Sequence, residues 1–445
     1  MLLIIVLLAC ILFIVISSTK FKIHAFLALL FAALAFGLLT GMPLTLIVQS
    51  LNTGFGNTLG YIGIVIVAGT IIGVFLELSG GAYTLADRIL KIIGEKRVPL
   101  AMAIIGWFVS IPVFADSGYV ILSPLNKALS KRAKISLAGP AVALSLGLTS
   151  THCLVPPTPG PIAAAGILGA NLGLVILFGL LVSAIALFFG WLFATKVASR
   201  ISIDANPEIS EAEIAARIKE APSAVKALVP IFLPIILIVL KSISDFPTNP
   251  LGDGVIKTFF GFIGEPVIAL LIGVLLAFLL PKKREEGMFS ETGWVGKGLM
   301  SAATIILITG AGGAFGKVLQ NSGLADTMGN ALSNINLGIW LPFIIAATIK
   351  TAQGSSTVAI ITTASIIAPL MSSLDFNSEI AKSLLVLSIG AGAMVVSHAN
   401  DSFFWVMTQM SHMDVKTGYK LQSLGTFILG TTAGFVLWIL SLIFI

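Results

Sequence analysis

An all-α, polytopic membrane protein is the fold class this sequence predicts, made of two inverted repeats that each carry a re-entrant hairpin and a broken transmembrane helix. Three observations carry that reading. Of 445 residues, 57% are hydrophobic and only 10% charged, where a soluble domain has about 25% charged residues. Long apolar runs recur at 2–17, 24–39, 61–76, 174–195, 227–240, 266–280 and 426–445. Most approach the roughly 20 residues that cross a hydrocarbon core of about 30 Å as helix, and they are too long and uniform for barrel strands. The second half also repeats the first, as set out below.

The elements follow in chain order. Residues 1–20 form an additional N-terminal helix. No basic stretch precedes the apolar run at 2–17, so it reads as a helix rather than a cleaved leader. Cys10 and Cys153 lie too far apart in sequence to make a disulfide framework. Most of the 26 Lys and Arg residues fall in connections: at Lys20 and Lys22, at 88–97, at 127–134, in the linker, at 282–284, and at Lys416 and Lys420. The positive-inside rule places the rich loops in the cytoplasm. The basic loops 88–97 and 127–134 are then on one side, yet 98–126 between them is apolar. A single crossing cannot begin and end on the same side. A re-entrant hairpin over 98–130, with its tip near "FADSG" (114–118), resolves this, and such backbone needs cover from protein or a water-filled cavity.

Repeat one spans 21–196, with that hairpin and a broken helix at 135–170. Residues 197–263 are a polar cytoplasmic linker followed by a connecting helix. Repeat two spans 264–445, with a hairpin at 339–371 and a broken helix at 380–409. The two repeats match directly. "AGTIIGVFLELSGGA" (68–82) aligns without gaps to "AGGAFGKVLQNSGLA" (311–325), seven of 15 positions being identical. "LSLG" (144–147) is echoed by "LSIG" (387–390), and the tip "ADSG" by "AQGSST" (352–357). Counting about ten full crossings plus two hairpins, 12–14 hydrophobic segments in all, puts the halves in opposite orientation. Inverted repeats with discontinuous helices point to a secondary transporter with its site at the repeat interface.

Four polar stretches interrupt apolar helices: "FADSG", "HCLVPPTPG" (152–160), "TAQGSST" (351–357) and "SHAND" (397–401). In "VPPTPGP", Pro156, Pro157, Pro159 and Pro161 remove donors and fix φ, so a continuous helix is implausible. The half-helix N-termini so created favour carboxylates. Gln353, Gly354, Ser355, Ser356 and Thr357 gather amide and hydroxyl groups suited to a polyhydroxylated acid; satisfying helix carbonyls is the competing role. Asp116, His152, His398 and Asp401 are ionisable residues at membrane depth, which mark substrate or proton paths. Asp401 equally suits an N-cap where a half-helix restarts. Lys350, one turn before the second tip, either attracts an anion or pairs with an aspartate. Glu77, opposite Gln320 in the repeat, reads as structural. No HExxH, GxSxG, Walker A or CxxC motif is present, so no enzyme, metal or cofactor is expected.

"FADSGYVILSPL" (114–125), "THCLVPPTPGPIAAAGILGA" (151–170), "AQGSSTVA" (352–359) and "SHANDSFFW" (397–405) resemble the signature segments of the gluconate permease family, within the ion-transporter superfamily. "FKIHAFLALL" (21–30) and "GMPL" (41–44) resemble its N-terminal part. The resemblance covers essentially the whole chain. It implies proton-coupled uptake of gluconate or a related small sugar acid across a bacterial inner membrane. By position it marks Asp116, Ser117, Thr158, Gln353, Ser355, Ser356, Thr357 and Asn400 as substrate residues. Phe403 stands where the family pattern has glycine. The expected partners are a small carboxylate, protons and lipid, with no nucleic acid; a homo-oligomer is left open. A sodium-coupled carrier, a sodium/proton antiporter or an anion channel on this architecture are the alternatives.

Overall fold

The computed structural model describes residues 2–94, 97–206, 211–244, 254–283, 286–324, 337–399 and 401–445. Among these every regular element is a helix, with no strand. The first group of helices is α1 (Leu2–Thr19), α2 (Ala25–Leu39), α3 (Leu44–Leu78), α4 (Gly81–Ile93), α5 (Val98–Val109), α6 (Ala115–Arg132), α7 (Ala138–Leu154), α8 (Pro159–Leu168) and α9 (Leu172–Lys196). The amphipathic α10 (Glu211–Glu220) lies in the linker, followed by α11 (Ala224–Ser244), α12 (Val255–Ile263) and α13 (Pro266–Ala277). The last group is α14 (Trp294–Asn321), α15 (Trp340–Gln353), α16 (Ser356–Ile367), α17 (Glu379–Gly392), α18 (Ser402–Met410) and α19 (Leu424–Phe444). Among the described residues, five spans are long and apolar enough to cross a membrane, or seven when two bent pairs are each counted once. The broken pair α7–α8 is the most enclosed of them, with 94% of its window buried.

The two segments that match in sequence share a backbone detail. α3 and α14, which carry the matched segments, pack along each other. Each ends at a serine, Ser79 or Ser322, followed by a glycine with positive φ, +76° at Gly80 and +75° at Gly323. A left-handed residue after a helix end costs glycine nothing, so the matched "SG" pairs stop two helices in the same way. α3 is also longer than its apolar run at 61–76, reaching back to Leu44 through Gln49, Asn52 and Asn57. Polar residues there found partners in packing: Ser50 Oγ accepts from Asn321 Nδ2 at 2.8 Å.

A shared pattern of pairing places the four interruptions together. α5 packs on α7, and its counterpart α15 on α17. α6 packs on α18, while α16 packs on α8. Each two-helix unit thus leans one arm on the broken helix of its own half and the other on the far piece of the opposite half. Phe114 of the first tip, Gly354 and Ser355 of the second and Met394, Ser397 and Asp401 of the second break border one cavity, and Pro157 and Thr158 of the first break meet Pro112 and Phe114 beside it.

Candidate functional site

The second break is built from polar caps. The chain leaves α17 at Ala393, and Val396 takes φ +52°. That left-handed turn is unfavourable for a β-branched residue, on the order of 1–3 kcal/mol. Its neighbours hold it. Ser397 N–H donates to Thr426 Oγ1 at 3.0 Å, and Ser423 Oγ donates to Ser397 O at 2.5 Å. Ser423 reaches it from a single π-helical turn, Tyr419–Ser423, a feature common at functional sites. Asp401 then N-caps α18, its Oδ1 accepting from Phe403 N–H at 3.1 Å.

The second tip supplies the opposite charge. Gly354 closes α15 with φ +92°, a conformation that turns its carbonyl back over the helix end and that side-chain-bearing residues rarely adopt. Lys350 Nζ donates to that Gly354 carbonyl and, at 2.7 Å, to Asp401 Oδ2. Both side chains are buried, at 2% and 8% exposure. Ser397 Oγ donates to the same carboxylate oxygen at 2.5 Å. The pair therefore bridges two half-helices: the cation lies at the C-terminal end of α15 and the anion at the N-terminal cap of α18. Each charge sits at the favourable end of its helix dipole, which offsets part of the desolvation that a buried ion pair suffers.

Around this pair lies a cavity of about 270 Å³. Asp116 enters it from the second residue of α6, and Ser402 Oγ donates to Asp116 Oδ1 at 3.4 Å, joining the first tip to the second break. Gln353, Gly354, Ser355, Ser356 and Thr357 line the second tip, and His152 with Cys153 lines the end of α7. Ser355 N-caps α16, accepting from Val358 N–H at 3.3 Å. The start of α16 thus borders a space lined by a cation, two carboxylates and several hydroxyls. His152 Nδ1 is buried with no hydrogen-bond partner among the described residues.

Three expected residues lie elsewhere. Thr158 lines a separate cavity of only about 10 Å³ beside Gly69 and Pro112, and its Oγ1 donates to Val155 O at 2.6 Å. Proline at the first and third positions of α8 strips that helix start of two donors, so "PPTPG" offers an anion much less than "GSST" does. Ser117 turns toward Glu77 of α3. His398 makes a 2.7 Å contact through Nε2 with Thr351 O and does not border the main cavity. Asn400 lies outside the described residues. Residue types alone did not single out Ser397, Ser402, Thr149 or Cys153. The first two sit inside or beside "SHAND", and a serine flanking a buried aspartate was the available signal.

A multi-pass helical bundle whose broken helices close a polar, charged cavity within it belongs to the class of membrane carriers. The model of the family described as GntP family permease matches residues 1–443, and the chain belongs to that family. It is 35% identical over 438 residues to a gluconate permease of Pseudomonas aeruginosa, covering 96% of this chain and 95% of that one. It is 34% identical over 434 residues to the D-serine transporter DsdX of Escherichia coli strain K12, with the same coverage of 96% and 95%. Among solved structures it is similar to the YdaH transporter of Alcanivorax borkumensis, with TM-score 0.57, 18% identity and 88% of each chain covered. It is also similar to MtrF of Neisseria gonorrhoeae, with TM-score 0.62, 15% identity and 88% and 84% covered. These two likenesses concern the fold alone. The protein is a permease, not an enzyme, and a multi-pass protein of the bacterial inner membrane.

Proposed function

We propose that the protein is a proton symporter that takes gluconate or a related small sugar acid into the cell, and that the two halves are inverted repeats whose hairpins are re-entrant. The observation that carries this reading is the Lys350–Asp401 pair opening onto a cavity lined by hydroxyls and by Asp116. With Asp401 ionised, Lys350 is neutralised and the cavity offers an acid no cation. When Asp401 takes a proton, the Lys350 ammonium loses its counter-ion and a substrate carboxylate replaces it. Buried net charge is the same before and after: one ammonium with one carboxylate. Proton and anion therefore enter together, because either alone would leave an unbalanced charge in a medium that strongly penalises it. Ser355, Ser356, Thr357 and Gln353 are the hydrogen-bonding groups for the substrate hydroxyls, and Asp116 is the second candidate proton site. The cavity volume of about 270 Å³ is near the lower end of the roughly 300–1,000 Å³ of small-molecule sites, which suits a short acid. Names among the relatives, gluconate permease and D-serine transporter, agree in one respect: both ligands carry a carboxylate and a hydroxyl.

The test uses purified protein in proteoliposomes with labelled gluconate. An imposed proton gradient drives accumulation, and a protonophore abolishes it. Asp401→Asn resembles the protonated state, so it retains gluconate exchange at equilibrium but no longer accumulates it, and its binding loses pH dependence. Accumulation that persists in Asp401→Asn, or that follows a sodium gradient with the proton gradient collapsed, removes the proposed coupling.

A further inference from the structure

A second cavity, of about 370 Å³, lies where α3, α14 and the segment after α16 meet. Asn57, Thr58 and Tyr61 face it from α3, and Lys317 and Gln320 from α14. None of the described residues that line it is acidic. Lys317 is half-buried, and its Nζ donates to Gln320 Oε1 at 2.8 Å. That partner is neutral, so the positive charge is left uncancelled. Among the described residues, the acidic groups that act on Tyr61 of this cavity are already engaged: Glu265 with Lys241 at 3.1 Å and Glu379 with Lys382 at 3.3 Å. A cation in a recess with low-dielectric walls is less screened than one on an open surface and raises the local concentration of anions.

Both cavities border the same helix. Ser356 and Thr357 at the start of α16 line the main site, and Ala368, Pro369 and Met371 just past its end border the second. Between them on α16, Thr362 and Thr363 carry buried hydroxyls with no hydrogen-bond partner among the described residues. α8 reaches the second cavity as well, at Gly166 and Ile167, from the first break.

The repeat sharpens this. In the gap-free match of 68–82 to 311–325, Lys317 and Gln320 stand opposite Val74 and Glu77. One half carries a cation where the other carries an apolar residue, and an amide where the other carries a carboxylate. Glu77 is half-buried and meets Ser117, beside Asp116, with Lys297 as its nearest cationic influence.

We propose that the second cavity is the entry vestibule for small organic carboxylates on the external face, with Lys317 as the recruiting cation and no equivalent at the repeat-related position. The external placement rests on the proposed inverted repeats together with the positive-inside reading, in which the basic stretch 282–284 that precedes α14 is cytoplasmic. Because the gradients fix the overall equilibrium, this charge asymmetry sets the apparent affinity of each face, not the direction of net transport.

Two measurements test it. In a Cys10→Ala, Cys153→Ala background, Thr58→Cys is labelled in right-side-out vesicles with sulfonatoethyl (anionic) or trimethylammonioethyl (cationic) methanethiosulfonate, neither of which crosses the membrane. With each rate expressed relative to that reagent's own rate with a free small thiol, the anionic reagent reacts preferentially by about threefold or more, and Lys317→Gln abolishes the preference. Equal rates, a preference that survives Lys317→Gln, or labelling confined to inside-out vesicles overturns the vestibule. In the second, Lys317→Gln raises the external KM for labelled gluconate by about three- to tenfold at unchanged kcat, and Lys317→Arg restores it; an unchanged KM overturns the recruiting role. If the unmodified protein does not carry gluconate, the substrate reading fails while the labelling ratio still decides the vestibule.

Discussion

The two helix breaks, one after α7 and one after α17, are made by opposite chemistry. The first, at 155–158, is held by prolines and is apolar: Val155–Pro161 is buried throughout, and Thr158 satisfies a carbonyl of its own turn. The second, at 393–401, has no proline. It is held by Ser397, Thr426, Ser423 and the cap of Asp401. A break made by proline has no group to titrate. A break made by a capping aspartate can change charge, and this one is tied to a lysine of the neighbouring tip. The difference teaches that two breaks in one fold do different work: the first gives shape, and the second holds a buried charged pair.

That contrast can be broken by substitution. Lys350→Met should have the largest effect, because it leaves Asp401 buried and alone; a loss of about 3–5 kcal/mol is expected, seen as a large fall in detergent melting temperature, with no gluconate transport. Lys350→Met with Asp401→Leu should regain much of that stability yet stay inactive. Full activity in the double variant would show that the pair is structural only. Next in size is Gly179→Ala. A methyl there would lie 2.3 Å from the Leu154 carbonyl at the first break, and overpacking of this kind costs about 1–3 kcal/mol. Thermal melting should fall while pH dependence keeps its shape, since no titrating group is touched. The smallest effects should come from Thr158→Val and His398→Ala. Each removes one hydrogen bond outside the main cavity, worth about 1 kcal/mol, and leaves the KM for gluconate unchanged. A shifted KM in either variant would extend the site beyond the 270 Å³ cavity.

Much of this was legible in the sequence because breaks announce themselves. Prolines, a left-handed glycine and capping serines cannot continue an apolar helix, so "VPPTPG", "AQGSST" and "SHAND" stood out against the composition. What was less legible was direction. Thr158 and Gln353 look equally polar in sequence, but prolines flanking Thr158 remove donors and turn its hydroxyl onto Val155, whereas the serines after Gly354 open a helix start into the cavity. His398 and His152 are both histidines at a break, and only the second borders the cavity. Nothing in local pattern distinguishes them, because the choice depends on which helix packs opposite.

The sequence by itself determined the class and the points of interruption, because hydrophobicity and proline act locally and do not need a partner to be read. It also supplied both members of the ion pair, and named the two roles open to each. Only the tertiary structure decided that Lys350 and Asp401 meet. They are 51 residues apart, and what brings them to 2.7 Å is the packing of α15 on α17, which aligns the C-terminal end of one half-helix with the N-terminal end of another. Asp401 both caps α18 and neutralises Lys350, since its two oxygens face different donors, and that division of one carboxylate between two tasks is a property of the assembled fold.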